Sequence, residues 1–291
     1  MNFPERLWIE LTNHCNERCK FCFHGNSKMT RKKGMMSRQL FAKVVDEIAD
    51  HDTKMVTLHH SGESFLHKGL FDCIRYAKGK GLTMAITTNG TLLDKDDFEI
   101  LGTGIDVINV SFAGMNDEDY LSVRTRSGFA EVKNNVTKLA DKKRELGART
   151  KIKINVVATR NNIHKKDGFI KTFENIEGID SVFIRELMDW HGNVDVDDMK
   201  YKRDMGIMDH LWGLKQRLKP PCPAVYTSVG ILWNGDVVPC CFDYNGDLVM
   251  GNINNESIYA VWNSELYNDF RKSISTRRKI RKNEICARCR G

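Results

Sequence analysis

Apolar positions along the chain change period repeatedly, and the changes mark out alternating strands and helices. Leu7-Trp-Ile-Glu-Leu11 reads as a short strand with β-branched and aromatic content. Leu40, Val44, Val45 and Ile48 then recur at helical spacing. The rhythm continues with strands over 55–58, 82–87 and 107–112, and with helices over 70–78 and 94–101. A long amphipathic helix is predicted over 130–146, a nearly continuous buried strand over 152–158, a helix over 168–175 and a sixth strand over 182–187. Six strands separated by helices predict an α/β fold, a parallel sheet with right-handed crossovers.

Beyond about residue 190 this rhythm stops. Four of the five prolines (Pro220, Pro221, Pro223, Pro239) fall in the next 50 residues. Asn234-Gly235-Asp236, between Trp233 and Val237-Val238, predicts a hairpin with a type I′ turn. Helices are predicted over 257–262 and 264–270. The expected organisation is one domain over 1–190, a bridging helical stretch over 191–219 and a smaller domain over 220–291.

Composition narrows the class. The 291 residues are 41% hydrophobic and 29% charged, enough to bury a sizeable core. No apolar run approaches the roughly 18 residues of a membrane helix. The opening Met1-Asn-Phe-Pro-Glu-Arg6 lacks the apolar stretch of a secretory signal. The expected compartment is the cytoplasm, with no membrane partner. A net charge of +7 is a weak argument for nucleic acid at this size. The basic run from Arg271 to Lys282 reads as a solvated face rather than a phosphate-binding patch.

The nine cysteines are clustered. Cys15, Cys19 and Cys22 leave the end of the first strand, where α/β folds place their sites. Cys222, Cys240, Cys241, Cys286 and Cys289 lie in the last quarter, and Cys73 stands alone as a core residue. In a reducing compartment such groups point to metal or catalysis rather than disulfides. A structural zinc site wants four ligands. Three thiolates on a four-iron cluster leave one iron open to another molecule.

Cys15-x3-Cys19-x-Phe21-Cys22 resembles the cluster motif of the radical S-adenosylmethionine (SAM) superfamily. The resemblance implies a (β/α)6 partial TIM barrel, SAM, and a 4Fe–4S cluster on those three cysteines. Gly62-Glu63 resembles the family's Gly-Gly-Glu element, which contacts the SAM amino group, although Ser61 replaces the first glycine. Ser111 and Asn155 match positions of polar contacts to the ribose or carboxylate. A structural hydrogen bond is the alternative for Asn155. Arg124, followed by Ser-Gly-Phe two residues on, resembles an arginine that holds the SAM carboxylate; a surface arginine is the alternative. Phe21 is expected near the adenine, with Leu187 or Met188. His24, His59, His60 and His191 sit near strand ends or loops as weaker candidates for proton transfer.

Cys222-x12-Gly235-x4-Cys240 with Cys286-x2-Cys289 resembles the SPASM domain of radical SAM enzymes, or its shorter Twitch form. The count implies one auxiliary 4Fe–4S cluster closed by four thiolates, with zinc as the alternative. Neighbouring side chains in an extended segment point to opposite faces. Cys241 is therefore expected away from that cluster, as a hydrogen-atom donor to a substrate radical. The resemblance then implies an epimerase acting on a sugar or aminocyclitol. Its alternatives are a dehydrogenase passing an electron to the auxiliary cluster, a peptide-modifying enzyme, and a non-enzymatic metal-binding module for RNA or scaffolding. A small-molecule substrate and a reducing partner such as flavodoxin or ferredoxin follow from the same resemblance.

Overall fold

The computed structural model describes residues 2–124, 126–190, 192–201, 222–276 and Cys286, with the backbone alone at 95 and 96. The expected bridging helix therefore falls mostly outside the described residues, as do Cys289 and His191. Six parallel strands run in chain order: β1 (Arg6–Ile9), β2 (Met55–Leu58), β3 (Met84–Thr88), β4 (Val107–Phe112), β5 (Lys151–Ala158) and β6 (Ser181–Glu186). Helices α1 (Arg38–Ala49), α2 (Leu70–Gly79), α4 (Phe129–Glu145) and α5 (Lys166–Glu174) cross between them, forming the partial barrel. Ser37 caps α1, its Oγ accepting from the Leu40 N–H at 3.1 Å.

Strand alternation decides what each face sees. Ile152, Ile154 and Val156 of β5 share one core with Phe169 and Phe173 of α5. Each such fully buried side chain contributes about 1.5–3 kcal/mol. Period 2 then turns Lys153 and Asn155 to the opposite, concave face. Register aligns Asn109 with Lys153, and Ser111 with Asn155.

Three details differ from the pattern reading. Residues 95–103 form a 3₁₀ stretch rather than an α-helix. A short helix, α3 (Asp117–Val123), follows β4; its polar sequence hides it, although Asn116 caps it and three acids fill its first turn. The C-terminal segment expected as a separate domain extends the barrel's own sheet. After the single turn α6 (Ala224–Thr227), β7 (Ser228–Ile231) pairs parallel to β1, Trp8 opposite Gly230. Strands β8 (Asp236–Val238) and β9 (Gly251–Asn252) complete nine strands in one sheet.

The β7–β8 turn is not type I′. Gly235 N–H donates to the Leu232 carbonyl at 2.9 Å, and only Gly235 has positive φ, at 91°. That is a type I turn followed by a left-handed glycine. Beyond it lie α7 (Ile258–Asn263) and α8 (Glu265–Ser273), capped by Ser257 and Ser264. Among the described residues no helix is long and apolar enough to cross a membrane.

Candidate SAM and iron–sulfur sites

The loop leaving β1 curls tightly. Cys22 N–H donates to the Cys19 carbonyl at 3.0 Å and Gly25 N–H to the Cys22 carbonyl at 3.0 Å. A Cβ on Gly25 would overlap the Cys19 carbonyl, so the curl requires glycine. The loop is tied down from outside as well. Lys20 N–H donates to the Val123 carbonyl at the end of α3 (2.9 Å), and Asn89 Nδ2 donates to Asn16 Oδ1 (2.8 Å).

This curl gathers the three cysteines within electrostatic reach of one another. Burial pushes the Cys15 thiol up to about 11 and the Cys22 thiol up to about 12, and raises Cys19 as well. No three His, Cys, Asp or Glu among the described residues converge as ligands of one metal ion. A cubane takes each thiolate on a different iron, and three thiols carried on one tight curl suit such a cluster.

Gly62 and Glu63 lie directly beneath that loop. A Cβ on Gly62 would overlap the carbonyls of Thr12 and His14, and Glu63 N–H donates to the His14 carbonyl at 2.8 Å. Glu63 is buried; Oε1 accepts from Phe65 N–H (3.2 Å) and Oε2 from Asn89 N–H (2.8 Å). Burial raises its pKa against these hydrogen bonds. Lone pairs remain on both oxygens for an ammonium donor.

Arg124 is built into the protein's own network. It is 2% exposed, and its fork is largely committed to protein acceptors. Nε donates to Cys19 Sγ (3.4 Å), Nη1 to the Asn89 carbonyl (2.9 Å) and to the Tyr120 hydroxyl, and Nη2 to the Ser111 carbonyl (2.8 Å). Four of five N–H groups are spent, leaving little for a SAM carboxylate. Ser111 enters this network through its backbone, and Asn155 Oδ1 accepts from Arg185 Nε at 3.2 Å.

Phe21 and Leu187 pack against one small apolar cluster of Phe23, Val194, Val196 and Tyr244. Trp190 closes it, Nε1 donating to the Phe21 carbonyl at 2.8 Å. Residues 192–201 thus belong to a non-helical strap over the cluster loop, not to a bridging helix. His24 and His60 are buried, and burial pushes each down to about 4, so both are neutral near pH 7. Cys73 lies in the core between α2 and its neighbours, away from both sites.

Comparison with known proteins accounts for these features. Residues 9–166, more than half of the chain, match the radical SAM superfamily. The chain belongs to the radical SAM superfamily. Residues 222–290 match SPASM, an iron–sulfur cluster-binding domain. A tungsten-containing aldehyde ferredoxin oxidoreductase cofactor-modifying protein of Pyrococcus furiosus is 24% identical over 91% of this chain and 82% of its own. The subtilosin biosynthesis protein AlbA of Bacillus subtilis is 30% identical over 47% of this chain, which spans 31% of AlbA. Among solved structures, BtrN in complex with AdoMet and 2-DOIA has a TM-score of 0.62 at 18% identity, covering 100% of this chain and 95% of that one. Streptococcus suis SuiB bound to its precursor peptide SuiA has a TM-score of 0.71 at 19% identity, covering 100% of this chain and 72% of SuiB. As a radical SAM enzyme with a SPASM domain, the protein uses SAM, a 4Fe–4S cluster and auxiliary iron–sulfur.

The auxiliary region of this radical SAM enzyme corrects one premise. Cys240 and Cys241 are in a turn, not an extended strand: Asp243 N–H donates to the Cys240 carbonyl at 3.1 Å and Phe242 N–H to Cys240 Sγ at 3.4 Å. The adjacent Cys241 thiol and burial push the Cys240 thiol far up. The alternation of faces that would set Cys241 opposite Cys240 therefore does not apply at this turn. Cys240 and Cys222 both act on the Tyr267 hydroxyl, and Cys286 packs at the edge of the core. Pattern reading missed the buried Glu10–Arg31 pair. Glu10 Oε2 accepts from Arg31 Nη1 (2.8 Å) and Trp233 N–H (3.2 Å), and Arg31 Nε donates to the Tyr244 carbonyl (2.6 Å). The pair locks the cluster loop to the SPASM hairpin.

Proposed function

We propose that the enzyme oxidises a carbon of a small polar molecule, with Cys15, Cys19 and Cys22 holding the SAM-binding cluster and Cys222, Cys240, Cys286 and Cys289 the auxiliary one. With both cofactors bound, the chemistry they would supply is reductive cleavage of SAM, removal of a hydrogen atom from substrate by the resulting 5′-deoxyadenosyl radical, and acceptance by the auxiliary centre of the electron left when the substrate radical loses its proton to solvent. Glu63 accepts from the SAM amino group, while Phe21, Leu187 and Trp190 keep water from the adenine side. The concave face supports a polar substrate. Asn109, Lys153 and Asn155 line it, with Arg185 beside Asn155, and neither cation has a carboxylate partner among the described residues. Exposed Lys20, Lys28, Lys32 and Lys33 on and after the cluster loop suit an acidic electron carrier such as a flavodoxin or ferredoxin in a reducing cytoplasm.

The observation that favours oxidation over epimerisation is the turn at Cys240, where Asp243 N–H donates to the Cys240 carbonyl (3.1 Å) and Phe242 N–H to Cys240 Sγ (3.4 Å), so strand alternation does not set Cys241 on the face opposite this ligand. The test is Cys241→Ala in the reconstituted enzyme with a panel of aminocyclitols and sugars. Oxidation predicts that 5′-deoxyadenosine and a ketone or aldehyde still form. An epimer from the native enzyme, lost in Cys241→Ala while SAM cleavage continues, would restore the epimerase reading. Peptide modification is the second reading, favoured by the fold shared with peptide-bound SuiB; solvent-exposed peptide thioether or carbon–carbon cross-links would reveal it.

A further inference from the structure

Beneath the SPASM hairpin, α8 presents an arrangement that its own neighbours do not satisfy. The Arg271 guanidinium is sandwiched between two rings, its carbon 4.0 Å from the Trp262 centroid and 4.0 Å from the Tyr267 centroid. Arg271 is 3% exposed and Tyr267 is fully buried. Nε of Arg271 donates to the Val225 carbonyl (3.0 Å), and Nη1 to the Trp262 carbonyl (2.7 Å) and Asn268 Oδ1 (2.9 Å). No carboxylate pairs with this buried cation among the described residues. Nη2 of Arg271 and the Tyr267 hydroxyl are both buried without a hydrogen-bond partner.

An orphaned buried donor is costly, and an unpaired buried charge is more so. Two orphans and an unbalanced cation in one place call for an anionic group rich in acceptors and poor in donors. The surroundings name it. Val225, which holds Arg271, follows Cys222 by three residues in α6, and Cys240 and Cys222 lie within electrostatic reach of the Tyr267 hydroxyl. A metal–sulfur centre on four thiolates is anionic and offers only acceptors.

We propose that Tyr267, its ring polarised by Arg271, donates a hydrogen bond to the auxiliary iron–sulfur centre and thereby sets that centre's reduction potential. The inference rests on the reading of Cys222, Cys240 and Cys286 as ligands of that centre. One-electron reduction, by dithionite in a titration, adds one negative charge to the centre and moves no proton. An O–H donor and a nearby guanidinium stabilise the added charge, so the reduced state is favoured. A purely structural plug would need no such tuning.

The experiment is an EPR-monitored redox titration of the full-length, reconstituted protein without SAM, comparing the native enzyme with Tyr267→Phe. Reduction of the auxiliary centre should become about tenfold harder, a fall of about 59 mV for a one-electron couple, with the SAM-site centre unmoved. An unchanged auxiliary potential, or equal movement of both centres, overturns the proposal. Iron analysis separates the two levels: a native protein with one iron–sulfur centre, or with zinc, fails the ligand reading itself. Should Tyr267→Phe lose iron, site-specific 3-fluorotyrosine at 267 supplies the converse test. Its stronger donor must raise the auxiliary potential, and a lowered or unchanged value overturns the proposal.

Discussion

The Arg124 guanidinium lies against the Cys19 sulfur, Nε donating at 3.4 Å, although 105 residues separate them. The same side chain fastens the ends of β3 and β4 through Asn89 and Ser111 and stacks on Tyr120, 5.0 Å from its centroid. One cation thus fixes the loop's central cysteine to the strand ends that carry the rest of the SAM site. Arg124→Met removes a charge-assisted donor to a cluster ligand, so reduction of the SAM-site centre should become about tenfold harder. Arg124→Lys keeps the charge without the fork and should recover part of the loss. EPR titration of the SAM-free protein measures both, and equal potentials in native and Arg124→Met protein would refute the tuning.

Gly62→Ala tests the contact that sets the loop's height. Its Cβ would meet the His14 carbonyl at 2.6 Å and Asn13 Cα at 2.9 Å, backbone atoms immediately before Cys15. The strand end and the cluster loop cannot both stay in place. Overpacking of this kind costs about 1–3 kcal/mol. The expected outcome is a protein that folds but holds less iron at the first site, read by iron analysis and visible absorption. Full loading would mean that the loop yields freely.

The sheet and the first cysteine group were legible because each rests on local information. Strands β2 and β4 begin and end where the apolar runs do, and Cys15, Cys19 and Cys22 sit within one loop. The role of Arg124 was not legible, since its acceptors come from the cluster loop, α3 and the ends of β3 and β4. The hairpin was readable in Asn234-Gly235, but its turn type was not. Trp233 N–H is held by Glu10 and Nε1 by the Lys32 carbonyl, and its ring covers Gly34. Those tertiary contacts accompany the type I geometry. The placement of Cys241 was illegible for a related reason: alternation of faces assumes extended backbone, and the chain turns at Cys240.

Glu10 and Arg31 join the first site's loop to the SPASM hairpin through a buried ion pair, the Glu10 side chain fully enclosed and that of Arg31 13% exposed. Neutralising one partner leaves the other charge buried alone. Glu10→Gln should lower stability by roughly 3–5 kcal/mol. Pulse proteolysis of the loaded protein measures it. A loss under 1 kcal/mol would show that Arg31 finds water and that the pair does not lock the two segments together.

His60 makes stability depend on pH in a defined direction. It lies between Glu10, with Nδ1 3.8 Å from the carboxylate, and Gly230 of β7, while Nδ1 meets Ser61 Oγ at 2.8 Å and Nε2 is buried without a partner. Burial holds its folded pKa at about 4, against an ordinary 6.5. Between those values the unfolded chain binds the proton and the folded one does not, so stability is full above pH 6.5 and falls as pH drops toward 4. At saturation the loss is roughly 3 kcal/mol, from 1.36 kcal/mol per unit. His60→Gln removes the titrating group and should flatten the fall between pH 6.5 and 4.5, measured by native-state proteolysis at each pH. His24 and His59, each pushed to about 4 by its own burial, continue to titrate and leave a residual slope. An unchanged slope in His60→Gln would mean that His60 becomes protonated in the folded protein, with Glu10 close enough to accept the charge.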